Sequence, residues 1–447
     1  GNSSRTGANI YPNPFHIFQR HVPYRYGSFH LPTDICGKKP ETKRDAEAHI
    51  TIFMNSQQKF TLYAVAAPGL EQYTAMELQK LGLSSAPQSE SHPDQYAGGV
   101  EFTGSIEAIY RSNLNLRTAS RVLLRMGNFH AAAFSELKRH TQELPWSQYI
   151  RPGQNVAVRV TCHKSRLYHS TAVAREVIAG ISAALGKPVI HASLDDEQPG
   201  AEVQLLIVRL ASDHCTISID TSGQLLNRRG YRLATAKAPL RETLAAGLLF
   251  ASEWDGVSPI IDPFCGSGTI PIEAAMLANN MPPGLLRKFS FMEWPGYEPA
   301  LMASILAFHQ ERITKQQLNE HGPTIFASDR DEGAIRIAQS NAERAGVAHL
   351  IEFSQRPISA IQPSGKGWIV TNPPYGIRIS ENKDLRNLYA QFGNVIRSKF
   401  PGWHTTVMSS DLALLHQLKI PLDTSLALIN GGIKVRVGRG VVPDTQR

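Results

Sequence analysis

Two short stretches of this chain carry residue types suited to chemistry on a planar amine. The first is Asn372-Pro373-Pro374-Tyr375, which follows the apolar run Gly367-Trp368-Ile369-Val370-Thr371 and precedes Gly376. Two successive prolines exclude helix and remove two N–H donors. They leave a stiff, extended corner whose carbonyls have no local amide partner. The Asn372 side-chain oxygen and the Pro373 carbonyl can both accept from one amino group, and Tyr375 can lie flat against a ring. On its own the motif reads equally well as a turn after a buried strand.

The second stretch is Asp262-Pro263-Phe264-Cys265-Gly266-Ser267-Gly268-Thr269, at the end of an apolar strand and the start of a helix. Gly266 and Gly268 let a ligand approach the backbone closely, and the helix beyond them begins with free N–H groups. The loop lacks the Lys-Ser/Thr of a phosphate loop and the third glycine of the dinucleotide fingerprint. A carboxylate, Asp262, at its mouth suits a cationic ligand better than a pyrophosphate. S-adenosylmethionine, with a sulfonium and an ammonium, fits, and the loop from Asp262 through Pro263, Cys265, Gly266, Ser267, Gly268 and Thr269 would hold it with Asn372. The next strand, Thr324 to Ser328, runs into Asp329, an acid placed to accept both ribose hydroxyls of an adenosine. Asp331 reads as the cap of the following helix. In a doubly wound sheet the ends of the first, second and fourth strands share one crevice, which would bring all three motifs together.

The elements that must position these residues form two patterns. From Ser258 onward strands and helices alternate, the mark of a parallel sheet. Strands fall at Ser258–Cys265, Thr324–Ser328, Leu350–Phe353, Trp368–Thr371 and Thr405–Ser409, and helices at Thr269–Ala278, Glu332–Ala345 and Lys383–Lys399. Gly431-Gly432 marks a terminal hairpin. Before residue 223 the pattern is α+β. It has strands at Phe60–Ala67, Gly98–Phe102, Val156–Thr161, Val203–Leu210 and His214–Asp220. Its helices are Gly69–Leu81, Ile106–Leu116 with Ser105 as its cap, Phe134–Leu144 and Ser170–Leu185. Arg117, Arg121 and Arg125 recur every fourth residue, on a helical face or in strand positions, and read most simply as a solvated face. Lys164-Ser165-Arg166 reads as a basic surface loop. Asn227-Arg228-Arg229-Gly230-Tyr231-Arg232 reads as a basic, turn-rich boundary.

The chain has 447 residues, a formal charge of +8 and a pI near 9.3. That balance is compatible with a polyanionic partner. The excess is N-terminal: residues 1–59 hold eight Lys and Arg against four Asp and Glu, and 239–447 hold twenty against nineteen. No apolar run of about 18 residues exists, so no membrane is expected. Four cysteines, Cys36, Cys162, Cys215 and Cys265, show no metal-ligand spacing, which points to reduced thiols in a cytoplasmic protein without a metal. Cys265 reads as a packing thiol. Met54 reads as a natural start, with an organellar targeting segment as the second reading of the residues before it; either way residues 1–58 are expected to be a poorly ordered extension.

Asp262 to Ala275 together with Asn372 to Gly376 resembles the class I amino-methyltransferases that carry a THUMP domain. The likeness extends to Asn113–Leu123, Arg228–Arg232, Ala238–Ala246, and Pro283–Arg287 with Phe289; the last resembles the bacterial 23S ribosomal RNA guanine-N2 methyltransferases. The resemblance implies an α/β fold, with a Rossmann-like methyltransferase domain preceded by an α+β ferredoxin-like/THUMP RNA-binding region. It sets a ferredoxin-like module at 59–130, THUMP at 131–222, a linker at 223–238 and the methyltransferase domain at 239–447. It also implies a guanine amine of 23S rRNA or its large-subunit precursor as acceptor, with Asn372, Pro373, Pro374 and Tyr375 catalytic. One departure stands out: after the third strand, where the family commonly has an acid, the chain reads Phe353-Ser354-Gln355-Arg356, and Gln355 offers an amide oxygen instead. Methylation of tRNA guanine is the nearest alternative, and a non-catalytic RNA binder the alternative from another class. Amine-directed enzymes acting on DNA adenine or a glutamine side chain share the corner but not the N-terminal half. Glu242 reads either as a cofactor contact or as a first-turn helix acid, and Arg378 as an RNA contact or a solvated charge.

Overall fold

Alternating inward and outward apolar residues build the first half of the chain around a single sheet. The computed structural model describes residues 58–83, 98–192, 203–232, 240–317, 325–363, 365–375 and 382–444. The stretch before Gln58, with Cys36 and Met54, lies outside them, as do Gly376 and Arg378. The strands are β1 (Phe60–Ala66), β2 (Gly99–Gly104), β3 (Ala119–His130), β4 (Asn155–His163), β5 (Ile190–His191), β6 (Val203–Ala211) and β7 (His214–Asp220), in spatial order β2-β1-β3-β7-β6-β4-β5. The twelve-residue β3 pairs antiparallel with β1 on one side and β7 on the other, so one sheet runs through the whole half. Helices α1 (Glu71–Lys80), α2 (Ile106–Asn115), α3 (Phe134–Gln142) and α4 (Ser170–Leu185) accompany it. Ser212 and Asp213 take positive φ at the tip of the β6–β7 hairpin, as a tight turn there requires.

Two readings of this half change. Ser105 occupies the cap position of α2 but its side chain makes no capping bond. Arg117, Arg121 and Arg125 are not a solvated face. Arg121 and Arg125 lie on β3, and Arg117 just precedes it. Arg121 pairs with buried Asp220, Arg125 reaches Glu101 at 3.5 Å and stacks over Tyr63, and Arg117 is buried. A guanidinium brought inside a sheet must find carboxylate or carbonyl partners there, and each of the three does.

The second half is a doubly wound sheet. Strands β8 (Ile260–Asp262), β9 (Ile325–Asp329), β10 (Ile351–Gln355), β11 (Trp368–Thr371), β12 (His404–Ser409), β13 (Ala427–Asn430) and β14 (Ile433–Val441) take the order β10-β9-β8-β11-β12-β14-β13. The first five are parallel and β14 is antiparallel to β12. The first strand is shorter than the expected Ser258–Cys265: Pro263 has no N–H to continue the ladder, and the chain turns into the glycine loop. Helices are α5 (Glu242–Ala251), α6 (Thr269–Ala278), α7 (Pro299–Gln317), α8 (Glu332–Ala345), α9 (Asn382–Lys399) and α10 (Leu412–Gln417). Asp331 caps α8 by accepting from the Gly333 amide at 2.8 Å, and Gly346 closes it at φ 75°. Helices α5 and α6 are buried on almost every face, which explains why they read as continuous apolar runs.

The halves are interlocked. Phe289, Phe291 and Trp294 precede α7, and Met302 and Ile305 lie on it. All five pack in the same core as Leu62, Leu124 and Ile217 of the first sheet. Phe291 stacks on Tyr110 with ring centroids 4.4 Å apart, and the Trp294 indole donates to Gln204 at 2.9 Å. In the other direction, Ala66, Leu70 and Tyr73 join the core of the second half. The segment expected as a linker is itself buried at Leu226, Arg229 and Tyr231. Arg229 binds Glu273 of α6 at 3.1 Å and the Arg117 carbonyl at 2.6 Å, and Glu273 also faces the Arg117 guanidinium at 3.7 Å.

Candidate active site

The order of the second sheet reverses at β8, with β9 on one side and β11 on the other. Crevices at the carboxyl ends of strands form at such a point. Asp262 ends β8, Asp329 ends β9 and Thr371 ends β11, immediately before Asn372. The three sequence motifs therefore lie at neighbouring strand ends. Two hydrogen bonds tie them: the Thr371 hydroxyl donates to Asp262 Oδ1 at 2.6 Å, and the Gly266 amide donates to Asp329 Oδ2 at 3.0 Å.

The loop is shaped by its glycines and by long-range bonds. Gly266 and Gly268 take φ of 51° and 83°. A Cβ on Gly266 would meet nothing within 4 Å, so the backbone there is open to a ligand; one on Gly268 would lie 2.9 Å from the Ala338 methyl, so that glycine is demanded by helix packing. Cys265 donates its amide to the Ser328 carbonyl at 3.0 Å, and the Asn341 side chain of α8 donates to the Ser267 carbonyl at 3.0 Å. Arg232 reaches the Thr269 hydroxyl at 2.5 Å and Glu242 at 3.5 Å. Glu242 is thus the buried first-turn acid of α5, paired with Arg232. Burial pushes the Cys265 thiol far up, with Asp262 and Asp329 adding to the effect, so it stays protonated and packs.

Asp262 is the electrostatic centre. Burial pushes its carboxyl up to about 7; the Thr371 and Phe264 hydrogen bonds oppose the rise and the neighbouring Asp329 adds to it. Asp329 accepts from the Gly266 and Asp331 amides, one on each oxygen. A carboxylate oxygen takes two donors, so capacity remains for ligand hydroxyls. Two acids at a glycine loop, one of them buried and with no ion-pair partner among the described residues, fit a positively charged ligand carrying a diol.

At the corner, Pro373 is buried, Pro374 exposed, and Asn372 and Tyr375 lie between. Asn372 Oδ1 is buried and has no hydrogen-bond partner among the described residues. Such an atom costs free energy unless something donates to it. Tyr375 accepts from the Asn430 side-chain amide at 2.9 Å, and burial pushes its phenol up from the ordinary value. Gln355, the last residue of β10, donates its amide nitrogen to the Arg330 carbonyl at 3.3 Å. Sequence reasoning named the loop, Asp329 and the corner. It missed Thr371, Asn341, Arg232 and Asn430, each of which reaches the site across the fold. Only the basic run before Arg232 hinted at one of them.

The strand order, the acidic glycine loop and the Asn-Pro-Pro-Tyr corner together define a class I S-adenosylmethionine-dependent methyltransferase. Comparison with known proteins extends this to the whole chain. The RlmL ferredoxin-like domain matches residues 61–123, the THUMP domain 131–220 and the RMKL-like methyltransferase domain 229–432. A putative RNA methyltransferase of Synechocystis is 33% identical over 376 residues, covering 83% of this chain and 94% of that protein. The ribosomal RNA large subunit methyltransferase K/L of Vibrio campbellii is 34% identical over 375 residues, covering 83% of this chain but 52% of its own length, so the chain spans about half of that relative. A crystal structure of SMU.472, a putative methyltransferase complexed with SAH, superposes with a TM-score of 0.73 at 28% identity, covering 88% of this chain and 99% of that one. The chain belongs to the THUMP-domain class I RNA methyltransferase family, and S-adenosylmethionine is its cofactor. Among the described residues no helix is long and apolar enough to cross a membrane, and no group of three His, Cys, Asp or Glu is placed to hold a metal.

Proposed function

We propose that this chain methylates the exocyclic N2 of a guanine in 23S ribosomal RNA, acting in the cytoplasm. The observation that carries the reading is Asn372 Oδ1 just after β11, without a hydrogen-bond partner among the described residues and one residue from the Thr371–Asp262 bond. S-adenosylmethionine supplies the methyl group. Asp262 and the amides around Gly266 and Gly268 would hold its charged end, and Asp329 would accept from its ribose. Asn372 Oδ1 and the Pro373 carbonyl accept the two N–H bonds of the guanine amine. That orients a lone pair otherwise delocalised into the ring, so catalysis rests on orientation and electrostatics. Tyr375 lies against the base, a contact of ~1–3 kcal/mol, and the base must be unpaired or flipped out to reach it. The surplus proton of the amine can leave for water after transfer, so no strong general base is needed from the chain. The names of the K/L relatives and the THUMP and ferredoxin-like matches support ribosomal RNA as the polyanion.

The test is to incubate deproteinised ribosomal RNA and tRNA with labelled cofactor and map the modified nucleoside. N2-methylguanosine in 23S rRNA is expected; label confined to tRNA would transfer the reading to a tRNA guanine, and label in neither would favour a non-catalytic binder. Asn372→Ala should lower methylation by roughly 10²-fold or more while the chain still folds. Full activity in that variant would end the proposed role of the corner.

A further inference from the structure

The acceptor tyrosine is held at both ends. At its backbone, Tyr375 follows Pro373 and Pro374, whose fixed φ limits where the chain can place its Cα. At its tip, the hydroxyl accepts a 2.9 Å hydrogen bond from Asn430 Nδ2, a side chain 55 residues further on. Asn430 is the last residue of β13, the edge strand of the sheet, and pairs in register with Ile433 across the Gly431-Gly432 turn. Both turn glycines take positive φ, 56° and 84°, the geometry of a two-residue hairpin turn. The turn fixes the end of the strand, the register fixes which face Asn430 presents, and that face reaches the tyrosine. The bond is not a requirement of the strand pairing, because β13 and β14 are already joined through backbone pairs from Ala427 to Asn430.

The Tyr375 ring packs partly against two apolar cores and otherwise retains freedom about its two side-chain torsions. A donor fixed by another element removes that freedom before the substrate arrives, which is how a neighbouring shell preorganises a site. We infer that Asn430 is a positioning residue for methyl transfer, locking the Tyr375 ring in the plane that receives the target base. This rests on the proposal that Tyr375 faces the base. Asn430 itself touches neither substrate nor cofactor in this account, so its removal affects the RNA side of the reaction alone. The hydroxyl remains protonated and can still donate onward while it accepts from Asn430.

The test is a double-mutant cycle on the full chain with Asn430→Ala, Tyr375→Phe and the pair, reading kcat, KM for RNA, KM for cofactor and the melting temperature. One neutral hydrogen bond predicts a fall in kcat/KM for RNA of roughly three- to tenfold in each single variant. The cofactor KM should not move. The double variant should be no worse than the poorer single, since both remove the same bond. Asn430→Asp, whose carboxylate can accept from the tyrosine hydroxyl, should retain more activity than Asn430→Ala and guards against a variant that fails to fold. Parental activity in Asn430→Ala, additive losses in the pair, or a rise confined to the cofactor KM would each overturn the inference. Tyr375→Ala separates the two levels. If it is inactive while Asn430→Ala is unaffected, only the Asn430 role falls; if it is fully active, the base-facing role of Tyr375 falls and takes this inference with it.

Discussion

Asp262→Asn separates what this carboxylate does for the ligand from what it does to the fold. The side chain is buried, accepts from Thr371 and Phe264, and has Asp329 for an electrostatic neighbour. Burial first, then Asp329, pushes it up to about 7, whereas an unfolded aspartate titrates near about 3.9. The folded value is raised, so the stability linked to this group is fully present below about pH 4 and is lost as pH rises through about 7. Roughly three pH units at about 1.4 kcal/mol each put the loss on the order of 4 kcal/mol. Asparagine keeps the shape and the acceptor oxygen without a charge to bury. Without cofactor, Asp262→Asn should therefore melt above the parent at pH 8, by up to roughly 5 °C for a chain of this size, and the gap should close toward pH 4. Cofactor binding should move the other way. Calorimetric titration of the parent should show affinity for S-adenosylmethionine rising roughly tenfold from pH 6 to 8 as the carboxylate ionises, while Asp262→Asn binds weakly at every pH. A flat pH profile in the parent, or parental affinity in the variant, would refute the argument that the buried charge exists for the ligand.

Further expectations follow from the loop and from the joint between the halves. Gly266→Ala meets open space and bears only the left-handed backbone cost of roughly 1–2 kcal/mol. It should fold and lose cofactor affinity in calorimetry, whereas Gly268→Ala, 2.9 Å from Ala338, should also melt earlier. Glu273→Ala would leave the buried guanidiniums of Arg117 and Arg229 without their shared carboxylate. It should cost about 3–5 kcal/mol, seen as a lowered denaturant midpoint for both halves together; an unchanged midpoint would mean the cluster contributes nothing net.

What could be read from sequence was local. Asp262, Gly266, Gly268 and the Asn372–Tyr375 corner announce themselves because glycine, proline and an acid at a strand end punctuate the chain within a few residues. Asp329 followed from the same logic one strand later, and Asp331 from its position before a helix. The failures share a different cause. The spacing of Arg117, Arg121 and Arg125 fits a solvated face of either secondary structure, and their partners, Glu273, Asp220 and Glu101, are distant in sequence or on another strand. Helix α7 and the aromatic stretch before it carry no clear apolar period, since Phe289, Phe291 and Trp294 serve the core of the other half. Asn430 was invisible as a partner of Tyr375 because only the folded hairpin brings them together.

The shared core beneath Phe291 and Trp294 has a consequence for target choice. Two domains on a flexible tether could each find their own part of an RNA, and the reach of the tether would set which bases were accessible. Here the halves share a packed core rather than a tether, so the span from the first half to the Asn372 corner is set by packed side chains. Under the proposed function the molecule would work as a caliper: a guanine would qualify by lying at a fixed distance and bearing from the RNA feature gripped by the first half. The shape of the folded RNA can then carry selectivity that no base-reading side chain at the corner has to supply.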